Sequence, residues 1–158
     1  MIASTGDPRI ADLVDERDVL DVVHRFAAGM DLRDWDAYRA VFTDELLLDY
    51  TSYRGGAPTV VSADAWVERV RRRFATMLAT QHSLSNHRIE LDGDEARCLT
   101  YVEAMHVAEI DGVEQWCLIG GQYDDLVRRT PDGWRITRKK LAVRWTTGDR
   151  RVLDLPQS

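Results

Sequence analysis

From Thr80 to Thr146 the sequence holds a period of two through four long runs. Thr80–Leu91, Ala96–Glu109, Val113–Arg129 and Gly133–Thr146 read as strands. The turn signals between them are Asp92-Gly93-Asp94-Glu95, Asp111-Gly112 and Pro131-Asp132-Gly133. Connections this short permit only antiparallel pairing of neighbours, because a parallel crossover takes roughly a dozen residues or more. Strands of such length bulge or curve, and Gly120-Gly121 is the best-placed bulge. A strongly curved sheet must wrap something, and the N-terminal half supplies it.

There the period is helical. Leu13, Val14, Leu20, Val23, Phe26, Ala27 and Met30 follow helical offsets from Ile10 to Met30. Gly29 and Asp31 mark the end of that helix, and Asp34 is placed to cap a short one from Trp35 to about Phe42. Glu45–Tyr53 reads as a strand, Arg54-Gly55-Gly56-Ala57-Pro58 as a turn, and Thr59–Val61 as a short extended piece. Ser62 caps a helix from Ala63 to about Ala79, with Trp66, Val70, Phe74, Met77 and Leu78 as its apolar stripe. Residues 1–9 are expected to form a flexible arm, 10–146 one domain and 147–158 a C-terminal tail. This is an α+β plan, in which a curved antiparallel sheet wraps three N-terminal helices into a cone with a cavity at its open end.

One carboxylate stands out. Counting back from Asp31, Ala27, Val23 and Leu20 lie at offsets that share a helical face, so Asp31 points where the apolar stripe points. It also sits at the helix C-terminus, where the macrodipole disfavours negative charge. Burial and dipole would both raise its pKa unless a hydrogen-bonding or cationic partner stabilises the anion.

Composition removes several function classes. A net charge of −6 over 158 residues argues against a nucleic-acid or anionic-membrane surface. The basic groups Arg69, Arg71, Arg72, Arg73 and Arg135, Arg138, Lys139, Lys140, Arg144 read as solvated faces. Cys98 and Cys117 lack metal-ligand spacing and read as buried free thiols of a reducing compartment. The first residues show no signal pattern and no apolar run reaches spanning length, so a cytoplasmic location is expected. The four histidines are scattered, without His-Glu-x-x-His or Cys-x-x-Cys spacing, so neither a metal nor another cofactor is expected.

The order of elements, the Asp31 join and a histidine-bearing strand after the helix capped by Ser62 resemble the nuclear transport factor 2-like superfamily. Within it the SnoaL-like, scytalone dehydratase-like group is most similar, over about Ala11 to Val143. Overall pattern carries the resemblance, since the group has no tight motif. In its lyases an Asp at the end of the first helix hydrogen-bonds a His that acts as base. The matching residues are Asp31, in Gly29-Met30-Asp31, and His82, in Thr80-Gln81-His82-Ser83. The resemblance further implies a catalytic role for Tyr50, holding water or a carbonyl oxygen, and a substrate contact or proton relay at His106, in Ala104-Met105-His106. Tyr53, three residues from Tyr50 on the expected strand, would face the opposite side, leaving one of the two to line the pocket. Trp116 is a candidate pocket wall. His24 and His87 read as bystanders, and Arg144 as a solvated or intersubunit charge.

The activity implied is a cofactor-independent lyase or isomerase of the dehydratase type, acting on a small hydrophobic, ring-containing or carbonyl-bearing metabolite. An aldol-type polyketide cyclase using Asp31 alone, and a ligand-binding or assembly module without catalysis, are the alternatives. A cavity open to solvent with Asp31 and His82 in hydrogen-bond reach favours the enzyme; a collapsed cavity favours the module. A homodimer or homotrimer built on the outer sheet face is expected.

Overall fold

In the computed structural model, which describes residues 7–154, the first helix, α1, spans Pro8–Asp31. It starts two residues before the expected Ile10 because Asp7 caps it, accepting from the Arg9 backbone N–H at 2.9 Å, and Pro8 supplies a ready-made helical φ at the first position. Residues 1–6 of the expected arm lie outside the described residues. Gly29 does not end the helix. It is buried in α1 where a Cβ would stand 2.9 Å from the Tyr38 backbone, so its role is to let the second helix approach. That helix, α2 (Trp35–Arg39), is capped by Asp34, which accepts from Ala37 N at 3.0 Å.

The next strand, β1 (Phe42–Asp49), stops four residues before the expected Tyr53. Asp49 Oδ1 accepts from both the Thr51 hydroxyl (2.7 Å) and the Thr51 N–H (3.3 Å), and this side-chain turn winds the chain into a one-turn helix, α3 (Thr51–Arg54). The extended piece then becomes β2 (Thr59–Ser62), and Ser62 caps α4 (Ala63–Phe74) as its position suggests. α4 ends before the expected Ala79: Leu78 N–H already donates to Val107 O of the sheet at 2.8 Å, and β3 begins one residue later.

β3 (Ala79–Asp92), β4 (Glu95–Ile110), β5 (Val113–Thr130) and β6 (Gly133–Gly148) form the expected antiparallel meander. The open, curved sheet has six strands in the order β2-β1-β6-β5-β4-β3. It is antiparallel except where β1 runs parallel to β6, a pairing that alternation along single strands does not reveal. Two register shifts between β5 and β6, at Gly120/Gly121 and Leu126/Val127, bend the sheet around α1. Val19, Val22, Val23, Phe26 and Met30 of α1 fill the concave side, closed below by Ile136, Val127 and Trp134. The chain leaves β6 in a 3₁₀ turn (Arg150–Asp154) that buries Val152 and Leu153; residues 155–158 lie outside the described residues.

Lys139 overturns the reading of its cluster as a solvated face. It is fully buried, donates to Asp125 Oδ2 at 2.7 Å, and sets its ammonium 3.7 and 3.6 Å from the ring centres of Phe26 and Tyr123. The β5–β6 register shift is the reason: it moves the inward parity of β6 from Trp134 and Ile136 to Lys139 and Leu141. Burial pushes the Lys139 ammonium down and the Asp125 carboxyl up, against their mutual attraction. Removing one partner leaves a buried charge uncompensated. Lys139→Met alone should therefore lose about 3–5 kcal/mol in urea unfolding. Lys139→Met with Asp125→Leu should recover most of it.

Candidate active site

Asp31 finds the partners its position demands. Its Oδ1 lies 2.7 Å from His82 Nδ1 and accepts from the Thr80 hydroxyl at 3.0 Å, while Oδ2 accepts from the His82 backbone N–H at 2.6 Å. Thr80 and His82 alternate on the same face of β3, so one strand delivers both side chains to one carboxylate. Arg33, in a left-handed conformation just past α1, donates to Thr80 Oγ1 at 2.8 Å and to Met30 O at 2.6 Å, covering the helix terminus with positive charge. Burial pushes the Asp31 carboxyl up, but the His82 ring and backbone N–H and the Thr80 hydroxyl together outweigh it and hold it below the ordinary carboxylate value.

This carboxylate fixes the imidazole. In neutral His82 the carboxylate acceptor places the proton on Nδ1, which leaves Nε2 with its lone pair. The side chain of His82 is 4% exposed and its ring stacks on Phe74 at 6.1 Å. It forms part of the wall of an inner chamber of about 100 Å³, lined also by Met30, Tyr50, Tyr53, His106, Ile119 and Tyr123. An outer chamber of about 270 Å³ adjoins it, between α4 and the α3–β2 connection, and shares Tyr50, Trp66 and Arg73 with it.

His106 stands beside His82, with ring centres 5.6 Å apart. Its Nδ1 is buried without a hydrogen-bond partner, and burial, with the nearby His82 and Arg73, pushes its pKa down to about 4. A neutral imidazole there offers one donor and one acceptor. Tyr50 and Tyr53 both line the inner chamber, against the expectation of opposite faces. They lie on the turn into α3, where a spacing of three returns to one side. Burial raises the Tyr50 phenol well above its ordinary value and keeps it a donor.

Trp116 is not pocket wall. Cys117 and Ile119 point inward from β5, so Trp116 faces outward, 47% exposed, with its ring over Gly148. His24 pairs with His87 on the outside, Nε2 to Nε2 at 3.2 Å. Arg144 binds Gln122 at 3.1 Å, away from both chambers. Tyr123 and Thr80 escaped the sequence reading, although stepping by two from Ile119 and from His82 reaches them. Among the described residues, no three His, Cys, Asp or Glu side chains gather as a metal site, and no helix is long and apolar enough to cross a membrane.

The sequence profile of the SnoaL-like domain matches residues 11–140. An uncharacterized protein of Mycobacterium tuberculosis is 29% identical over 131 residues, covering 82% of this chain and 86% of its own. The crystal structure of a Kribbella flavida protein superposes with a TM-score of 0.85 at 28% identity, over 91% of this chain and 99% of that one. A hexachlorocyclohexane dehydrochlorinase of Novosphingobium barchaimii superposes at 0.71 with 16% identity, over 89% and 94%, which shows a shared fold.

A carboxyl whose pKa is lowered by folding adds stability that is complete above its unfolded value and is lost as pH falls through the folded one. For Asp31 the loss begins below about pH 3.8. Thermal unfolding against pH should show Asp31→Asn about 1–3 kcal/mol less stable at pH 7, with the gap closing in acid.

Proposed function

The chain belongs to the SnoaL-like domain family, and we propose that it is a cofactor-independent lyase or isomerase that uses His82 as general base. The observation that carries this is the Asp31 carboxylate 2.7 Å from His82 Nδ1 at the wall of an apolar chamber open towards solvent. His82 Nε2 takes a proton from carbon beside a carbonyl or comparable electron-withdrawing group. Asp31 stabilises the imidazolium that forms, at a distance where a charge-assisted hydrogen bond is short and strong. Electrons from the broken C–H bond pass to the carbonyl oxygen, where the Tyr50 hydroxyl donates to the developing oxyanion. Their return expels a β-hydroxyl or similar leaving group, which the imidazolium protonates. In a β,γ-unsaturated substrate without a leaving group, reprotonation at the γ-carbon by the imidazolium moves the double bond instead.

His106 fits a substrate hydrogen bond, since its ring lines the chamber beside His82 and stays neutral. Tyr53 and Tyr123 contribute shape and low polarity, which strengthen each hydrogen bond at the reacting carbon.

A panel of cyclic β-hydroxy and β-halo ketones, read by absorbance of the conjugated enone, tests this reading. With whichever compound turns over, His82→Ala and Asp31→Asn should each lower kcat by about 10²–10⁴. Near-native turnover in both variants would refute it. Tyr50→Phe should lower kcat by about 10-fold or more with little change in KM, the pattern of an interaction made in the transition state.

A further inference from the structure

Arg54, Arg69 and Arg73 line the outer chamber, and Arg54 and Arg73 also reach the inner one. No Asp or Glu lines either chamber. Among the described residues, none of the three guanidinium groups forms an ion pair. Arg33, Arg135, Arg144 and Arg150 also lack one, but they are not gathered around one opening, and most other arginines are tied to acids. Arg71 pairs with Glu68, Arg97 with Asp124, and Arg129 with Asp15 and Asp94. In a chain of net charge −6 there is no shortage of carboxylates, so three unanswered cations around one opening need an explanation.

Their neighbours hold them without using up their donors. Arg54 lies over the Tyr53 ring at 5.0 Å and Arg69 over the Trp66 ring at 5.9 Å. Arg73 donates to the Tyr53 hydroxyl at 3.4 Å. A guanidinium carries five N–H donors in a fixed fork suited to carboxylate or phosphate oxygens. Stacking on an aromatic face orients that fork and leaves its edge open. Arg73 is half-buried on the last turn of α4, where the two chambers meet; Arg54 and Arg69 are exposed at the rim.

We propose that Arg54, Arg69 and Arg73 form an oxyanion-binding subsite, so that the substrate is a ring-bearing acid. Its carboxylate or phosphate sits in the outer chamber while the apolar ring carries the reacting carbon inward to His82. The position of the reacting carbon rests on the proposed lyase reading; the oxyanion subsite rests on the arginines alone. The arrangement also separates charges usefully. The substrate's anion is neutralised at the mouth, away from the carbonyl on which a second negative charge develops.

Calorimetric titration of the full chain with 2-naphthoate, 2-naphthyl phosphate and the uncharged 2-naphthamide tests the proposal without requiring turnover. At least one anion should bind about tenfold or more tightly than the amide, and the preference should shrink as salt is raised. The tighter anion identifies the oxyanion class. Arg54→Gln and Arg73→Gln should each reduce the preference several-fold by weakening the anions more than the amide, and Arg73→Lys should restore part of it. His82→Ala should keep the preference, so failure of the base assignment and failure of this subsite are read separately. Equal affinity for the amide and both anions would overturn the subsite. So would an undiminished anion preference in Arg→Gln variants that melt like the parent protein.

Discussion

A negative charge half-buried at the C-terminus of a helix is an unfavourable placement, and the rest of the site follows from how Asp31 is stabilised. The α1 dipole and the apolar face around Ala27 and Met30 both oppose the anion. The His82 backbone N–H, the His82 ring and the Thr80 hydroxyl answer it from one strand, and Arg33 supports Thr80. These contacts join the helix to the sheet edge and turn the imidazole so that one nitrogen is committed and the other is available. The base is therefore set by the same contacts that dock α1 on β3.

The sheet makes room for this pair by curving. Register shifts at Gly120/Gly121 and Leu126/Val127 bend β5 and β6 around α1, and the second carries Lys139 into the interior beside Asp125. That buried ion pair touches Phe26 and Tyr123 through the ammonium, and Tyr123 in turn forms part of the chamber floor. The curvature that opens the chamber thus places a costly charge pair beneath it. The chamber stays hydrophobic where chemistry is proposed, and its cations are confined to the side nearer the mouth.

Much of this was legible in the sequence because periodicity reports local geometry. The four long strands, the Ser62 and Asp34 caps and the inward direction of Asp31 each follow from alternation, helical offset or capping chemistry. What escaped depends on contacts between distant segments. The parallel β1–β6 pair, the Lys139–Asp125 pair and the outward Trp116 turn on strand pairing or inward parity. A one-residue register shift reverses the face of every side chain beyond it, and no single-strand pattern announces which partner will impose it. Tyr50 and Tyr53 share a side because Asp49 accepts from Thr51 and ends the strand early, a turn that alternation does not signal. Arg73 reads from sequence as a solvated helical charge because nothing local signals that α3 forms the wall opposite it.

Base catalysis at this site requires His82 to carry its proton on Nδ1, towards Asp31, with Nε2 bare. Long-range ¹H–¹⁵N correlation spectroscopy of the native protein, at a pH where the His82 ring is neutral, reads that tautomer directly. An Nδ1–H form that loses its dominance in Asp31→Asn is expected. An Nε2–H tautomer in the native protein, or one indifferent to the residue at 31, would contradict it.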